Sequence, residues 1–474
     1  MTIDEECKDA VDETECLQDT TDSELCGPVV IVGGCGHVGL PLGMTFAKKG
    51  MQVDLLDVGV DRVAAVNRGE MPFYEEGAEE LLPSLLASGQ LRATIDQEVI
   101  EDASAVIVTI GTPVDEHANP SLGAFMRAMG PVLSKLRPGQ LLILRSTVFP
   151  GMTERLAQQL VEMGCENVDL AYCPERIVQG KSLVELEQLP QIIGGVTESA
   201  AQRAAALFRK LGAEIIFVKP NEAELAKLFC NAYRYLNFAV ANQFYLIAHQ
   251  YEADFHEVYR AVRHDYPRMQ SFPRPGFAAG PCLVKDTIQL GAFHQGSFPL
   301  GQAALSINEG LPWLLVQQLK EKYPLRKMTV GVLGMAFKPN CDDQRDSLSY
   351  KLRRVLQLQC RRVICTDPYV VDASLVPLEK VLAEADLIVV ATPHDVYRGL
   401  TCRQPVFDIS RTVTSNGEWQ AVVNGYAEHP GSLDGFYRFD AATGSSNGDS
   451  NGHSNGHSNG HRVQVSLELM DYVI

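Results

Sequence analysis

The sequence predicts an α/β protein in which two doubly wound domains are joined by a long central helix within an all-α region. Three observations predict it. Short continuous apolar runs alternate with helix-length segments from about 28 to 220, as in a parallel sheet covered by helices on both faces. A helical pattern without proline then runs from Asn221 to about His264. A second, shorter strand–helix series fills about 327–440.

Taken in order, the chain opens on an acidic segment. Residues 1–26 hold ten Asp or Glu and one lysine, about half of the net charge of −18, and 1–27 reads as a solvated, disordered tail. This beginning does not read as a secretory signal, and no apolar run approaches the roughly 18 residues that cross a bilayer. No membrane association is expected. The acidity of the remainder argues against nucleic acid as a partner. Twelve cysteines without CxxC pairs suggest neither a zinc cluster nor a disulfide framework, so no metal and a reducing cytoplasm are expected.

The first domain, 28–220, begins with "PVVIVGGCGHVGLPLGMTFAKKG", an apolar strand, a glycine turn and a helix; "QVDLLDV", "SAVIVTIGTP", "QLLILRST" and "VDLAYCPE" follow as strands. The central region, 221–322, starts with the long helix, for which a break is expected near Tyr251–Asp254. Apolar residues on more than one of its faces suit contacts with the domains and with another subunit. Further on, "PGFAAGPCLVKDTIQL" places Pro281 as a helix start and the sulfur of Cys282 beside unpaired N–H groups. From this stretch alone, nucleophile and ordinary buried thiol are both open readings. The second α/β domain, 323–440, carries "MTVGVLGMAFKP", "RRVICTDPYV", "DLIVVATPHDV" and "QPVFDIS"; residues 441–474 are a low-complexity linker and tail.

Gly34-x-Gly36-x-x-Gly39 follows a strand and opens a helix, which makes the first domain Rossmann-like. Small residues there permit a tight turn and close approach of a pyrophosphate to the helix N-terminus. Asp57, 18 residues after Gly39 at the end of the next strand, is placed to bind an adenosine ribose and to repel a 2′-phosphate, so NAD is expected rather than NADP. The competing reading has Asp57 capping a turn. Lys227 and Asn231, four apart on the long helix, share a face and suit a developing oxyanion, or form a solvated polar stripe. Glu175 in "YCPERIVQG" lies just beyond a strand, where such sheets bind ligands; a helix cap or an Arg176 partner is the alternative.

Together these segments resemble the UDP-glucose/GDP-mannose dehydrogenase family of nucleotide-sugar 6-dehydrogenases. The resemblance rests on "GGCGHVGLPL", "NRGEMPFYEEGAEELL", "TIGTPVDE", "STVFPGMTE", "CPERIVQGKSL", "NEAELAKLFCNAY", "GPCLVKD" and "LGMAFKPNCDDQRDS", in that order from about Pro28 to Asp408. It implies an N-terminal NAD domain, a central helical dimerisation region and a C-terminal domain binding the UDP-sugar, in a homodimer. The implied activity is four-electron oxidation of a sugar 6-hydroxyl to a carboxylate with two NAD+.

By position, the resemblance implies that Cys282 is the nucleophile, with Lys227, Asn231 and Asp286 around it and with Glu175 and Thr147 handling water and protons. It implies NAD contacts at Thr112, Lys285 and Arg345, and sugar-nucleotide contacts at Gly276, Lys338 and Arg268, the last across a subunit boundary. A thiolate adding to the intermediate aldehyde explains the need for a cysteine. "CPER" and the spacing of Arg268 from Cys282 resemble the branch that oxidises UDP-N-acetylhexosamines, with UDP-glucose as the alternative. Ala278 and Ala279, where many members have a Gly-Gly pair, are expected to reshape the sugar pocket, and Gln179 stands where glucose-oxidising relatives often have an acid. Two other classes stay open: a catalytically silent nucleotide-sugar-binding regulator, and a two-electron hydroxy-acid dehydrogenase that needs no cysteine.

Overall fold

The computed structural model describes residues 27–112, 121–294 and 297–411. The acidic segment, the "PVDE" part of "TIGTPVDE" and the linker with its tail lie outside the described residues.

The first sheet grows from the apolar runs. Its strands are β1 (Val29–Val32), β2 (Val53–Leu56), β3 (Leu91–Thr94), β4 (Ala105–Val108), β5 (Leu141–Leu144), β6 (Asp169–Tyr172), β7 (Gln191–Gly195) and β8 (Ile215–Phe217). They lie in the order β3-β2-β1-β4-β5-β6-β7-β8. Runs such as Val29–Ile31 and Leu141–Leu144 are wholly buried because helices cover both faces. These are α1 (Gly39–Lys48), α2 (Val60–Asn67), α3 (Ala78–Ala87), α4 (Leu122–Lys135), α5 (Met152–Glu162), α6 (Ser182–Gln188) and α7 (Glu198–Arg209). Strand order reverses between β1 and β4, and ligands of open α/β sheets bind in the crevice beyond such a point.

Two features depart from the expected sheet. β3, β7 and β8 are additional strands, and β7 pairs antiparallel with β6.

The helical region runs through α8 (Pro220–Gln250), α9 (Phe255–Arg263), α10 (Leu283–Phe293) and α11 (Pro299–Lys322). At 1.5 Å per residue, α8 is about 46 Å long. It starts on proline and stops before Glu252, which has a φ of 55°. Asp254 then caps α9 by accepting the His256 N–H at 2.9 Å. The base of α8 is tied to the first sheet's helices by buried Glu224, which accepts from the Gly151 and Thr153 N–H groups (2.7 and 2.8 Å) and the Thr153 hydroxyl (2.6 Å).

The second sheet holds β9 (Thr329–Leu333), β10 (Arg362–Thr366), β11 (Leu387–Val390) and β12 (Val406–Phe407), all parallel in the order β10-β9-β11-β12, with α12 (Leu348–Gln359) and α13 (Leu378–Glu384) beside it. Its layout repeats the β2-β1-β4 centre of the first sheet. No helix among the described residues is long and apolar enough to cross a membrane.

Candidate functional site

The glycine turn fits a dinucleotide for reasons visible at each glycine. A Cβ on Gly34 would meet the Ile31 carbonyl at 2.6 Å and the Leu55 Cα at 2.7 Å; on Gly39 it would meet the Gly33 carbonyl at 2.6 Å. These two glycines exist for close packing. At Gly36 a Cβ would meet only the Gly33 carbonyl, at 3.3 Å, so its other side is open above α1, whose first turn has no side-chain cap. That combination leaves helix N–H groups for a pyrophosphate. Asp57 stands beside the turn: Oδ2 accepts the Cys35 N–H (3.1 Å), while Oδ1 accepts the Gly59 N–H (2.8 Å) and Arg62 Nη2 (3.0 Å). One lone-pair direction of Oδ2 remains for a ribose hydroxyl. His37 stacks on Phe73 with centroids 4.1 Å apart, and burial, with Arg345 nearby, lowers its pKa to about 4.

Three distant segments converge near Cys282. Lys285 Nζ donates to the Thr112 hydroxyl (3.0 Å), which donates to the Thr147 carbonyl (2.6 Å). The same ammonium lies 3.4 Å from Asp286 Oδ1, and Asn231 Nδ2 donates to Asp286 Oδ2 at 2.5 Å. Asp286 is fully buried, so its charge depends on these two partners. Cys282 sits at the N-cap of α10 within electrostatic reach of Asp286, Lys285, Lys227 and Arg345. Lys227 is half-buried on α8.

The sulfur does not behave as the helix-start expectation had it. Cys282 has helical backbone angles and no side-chain cap bond, so no N–H stabilises a thiolate there. Its side chain opens to solvent from a crevice dense with protein. That desolvation, with the Asp286 carboxylate, raises the thiol pKa against the opposing pull of Lys285, Lys227 and Arg345. Burial and the Asp286 charge thus both favour the thiol over the thiolate. Iodoacetamide alkylation of Cys282, followed by peptide-resolved mass spectrometry to separate it from exposed Cys230, is expected to accelerate with pH beyond the usual thiol range. A rate plateau below pH 7 would instead mark a stabilised thiolate.

Glu175 is buried and fully occupied. Its Oε2 takes Arg145 Nε (2.7 Å) and Nη2 (2.5 Å), and its Oε1 takes the N–H groups of Arg176 (2.7 Å) and Ile177 (2.9 Å). The ion-pair partner is thus Arg145, not Arg176. In this arrangement Glu175 accepts a proton from water only by releasing one of those donors.

The residues expected to contact the sugar nucleotide are joined through loops. Lys338 Nζ donates to the Gln179 carbonyl (2.7 Å), and Gln179 Nε2 to Asp343 (3.2 Å). Arg345 forks onto Asp343 (Nε–Oδ1 2.9 Å, Nη2–Oδ2 2.6 Å). Both main-chain groups of Gly276 are held by Asn242, at 2.8 and 3.0 Å. A Cβ there would meet nothing within 4 Å, so this residue contributes open space. Ala278 does not line the pocket as expected; its methyl is buried against Tyr235, Ala239 and Ala304. Arg268 is exposed and, among the described residues, donates to Tyr266 at 3.2 Å; the described fold does not bring it to the cysteine.

Sequence reading missed Arg145, Asn242, and Asn308, which accepts from Asn242 at 2.9 Å. For Arg145 a signal existed: an arginine directly after the buried run "LLIL" needs an anion.

Residues 28–212, 221–310 and 331–415 match the NAD-binding, central and UDP-binding domains of the UDP-glucose/GDP-mannose dehydrogenase family. A UDP-N-acetyl-D-mannosamine dehydrogenase of Pyrococcus horikoshii is 32% identical over 382 residues, 78% of this chain and 90% of that protein. One from Escherichia coli K12 is 28% identical over 401 residues, 78% and 94% of the two chains. Among solved structures, UDP-D-ManNAc dehydrogenase from Pyrococcus horikoshii matches with a TM-score of 0.76 at 30% identity, covering 82% of this chain and 96% of that one. A UDP-glucose dehydrogenase from Pyrobaculum islandicum matches at 0.74 and 29%, covering 81% and 94%.

Proposed function

The chain belongs to the UDP-glucose/GDP-mannose dehydrogenase family and is an NAD-dependent oxidoreductase of nucleotide sugars; from that premise we propose four-electron oxidation of the 6-hydroxyl of a UDP-N-acetylhexosamine, through a covalent intermediate on Cys282. The observation that carries this reading is the accessible Cys282 thiol set against the Lys285–Asp286–Asn231 network. The named relatives that act on UDP-N-acetyl-D-mannosamine favour that sugar; UDP-glucose is the second reading, supported by a solved relative of similar likeness.

NAD+, when bound, supplies the acceptor for each hydride. Gly36, Asp57 and the open N-terminus of α1 would hold it, with Thr112, Lys285 and Arg345 on its reactive side. The Cys282 sulfur adds to the aldehyde carbon, and the thiohemiacetal formed there is the species from which a thioester can arise. Lys227 and Asn231 steady the oxygen of that carbon. Glu175 and Thr147 direct water onto the thioester, Glu175 exchanging an Arg145 bond for the proton it takes. Lys338 holds the nucleotide sugar, with Gly276 leaving room for it.

We assign the central helices to dimer formation. Tyr233, Val240, Phe244 and Ile247 on α8 and Tyr251 at its C-cap are exposed at spacings of seven, four, three and four, the repeat of a helix-pairing seam. A second copy is the proposed occupant, and Arg268 is free to reach its substrate. Sedimentation is expected to give twice the chain mass, and Tyr233→Asp with Phe244→Asp to give the monomer; a monomeric wild type rejects the assignment. A reducing cytoplasm suits a chain with buried free thiols at Cys35, Cys173, Cys341 and Cys365.

The reaction is tested by NAD+ reduction across UDP-, GDP- and dTDP-sugars. Two NADH per sugar and a 6-carboxylate product are expected, with UDP-N-acetyl-D-mannosamine turned over fastest. One NADH with free aldehyde rules out the four-electron reading, and no turnover of any sugar favours a silent binding protein.

A further inference from the structure

His394 lies beyond β11 and is completely buried. Its Nδ1 accepts the Asn340 N–H at 2.9 Å, and its Nε2 lies 2.9 Å from Asp367 Oδ2. A backbone N–H can only donate, so Nδ1 carries the lone pair and the proton sits on Nε2, directed at the carboxylate. The ring is edge-packed by Tyr369 and Tyr397, at centroid distances of 5.0 and 5.6 Å.

Each end of this bridge is informative. Asp367 is held from several sides at the end of β10: Oδ2 also takes the Met335 and Ala336 N–H groups (2.6 and 3.0 Å), and Oδ1 those of Tyr369 and Val370 (2.8 and 2.9 Å). It occupies the place after β10 that Asp57 occupies after β2, but all its lone pairs are used, so it has none for a ribose. Asn340 is the reverse case. It is a non-glycine residue with a φ of 54°, a conformation that its surroundings must hold. Its side chain is pinned to Asp395, by Nδ2–Oδ2 at 2.6 Å and by the Asp395 N–H to Oδ1 at 3.0 Å. It follows Lys338 by two residues and precedes Asp343 and Arg345, so its backbone sets where those charges stand.

We propose that His394 is a positioning residue for nucleotide-sugar binding: it transmits the fixed end of the second sheet to the Asn340 peptide and so holds Lys338 in place. The inference rests on the reading that Lys338 binds the nucleotide sugar. A structural core histidine would serve stability alone, and the two functions separate by variant. In His394→Asn the amide oxygen takes the position of Nδ1 and keeps the acceptor for Asn340. In His394→Gln the amide reaches Asp367 but leaves the Asn340 N–H without its acceptor, a buried donor unpaired.

Calorimetric Kd for UDP is the main readout, with the KM for NAD+ and kcat on UDP-N-acetyl-D-mannosamine beside it, in the full chain. Expected are about a tenfold weaker UDP Kd for His394→Gln, less than about threefold for His394→Asn, and a KM for NAD+ within about twofold in both. Lys338→Met is the control and is expected to weaken UDP at least as much as His394→Gln. If Lys338→Met weakens UDP and His394→Gln does not, the positioning role is overturned alone. If Lys338→Met leaves UDP binding unchanged, the underlying reading falls and the inference with it. Equal losses of UDP and NAD+ affinity in His394→Gln also overturn it, as general loosening. Should the glutamine variant not fold, a tenfold loss of UDP affinity in His394→Asn, which keeps the acceptor for Asn340, overturns the proposal.

Discussion

Cys282→Ser is expected to abolish net sugar oxidation, by at least about a hundredfold, while leaving the fold and both binding steps intact. The first half of that statement follows from chemistry. A serine hydroxyl is a far poorer nucleophile than a thiol at neutral pH, and nothing in the site contributes a base dedicated to it: Asp286 is held by Lys285 and Asn231, and Glu175 by Arg145. The second half follows from structure. The sulfur makes no capping bond and is open to solvent, so exchanging it for an oxygen breaks no hydrogen bond of the fold. UDP and NAD+ affinities should therefore stay within about twofold, and the thermal midpoint should not fall. Turnover near wild type would show that another group forms the covalent bond. A lost midpoint would show instead that Cys282 is one more structural thiol.

How legible the protein was depends on the range of the interaction concerned. The glycine turn and Asp57 after the next strand are local patterns, and each stands where its pattern put it; the helix expected to start on Pro281 begins two residues later, at Leu283, with Cys282 at its N-cap. The interruption expected near Tyr251–Asp254 lies between α8 and α9 for a local reason too, the Asp254 cap. β3 escaped because an edge strand alternates: Leu91 and Ala93 are buried while Arg92 is exposed and pairs with Asp54. β7 and β8 are brief, and a run of three to five apolar residues does not separate strand from helix.

The site followed the same rule. Residue types were readable, but partners were not. Lys285 meets Thr112 across 173 positions, and Gln179 meets Asp343 across 164; packing alone decides such pairings. Packing also overturned the expected effect of Ala278. A methyl group has no chemical signature to say which way it faces, and here the loop turns it into the helical core.

Asp57→Ala is expected to lose about two decades of NAD+ preference over NADP+ and some stability besides. A ribose hydroxyl bound by the free lone pair of Asp57 Oδ2, and a 2′-phosphate of charge near −2 opposed by its charge, would together amount to a few kcal/mol, or about two decades. Arg62, bound to Oδ1 at 3.0 Å but half-exposed, tempers the repulsion without removing it. Alanine removes the ribose bond and the repulsion, and it frees the Arg62 guanidinium to meet the phosphate. The kcat/KM for NAD+ should fall while that for NADP+ rises, and Asp57→Ala with Arg62→Ala should return NADP+ to its low value. Alanine also strands the N–H groups of Cys35 and Gly59, at a cost of about 1–3 kcal/mol, so a lower thermal midpoint accompanies the switch. The midpoint alone cannot discriminate, because a pure turn cap predicts it as well. The ratio of kcat/KM for the two cofactors does discriminate: if it is unchanged in Asp57→Ala, this carboxylate holds the turn and does not read the cofactor.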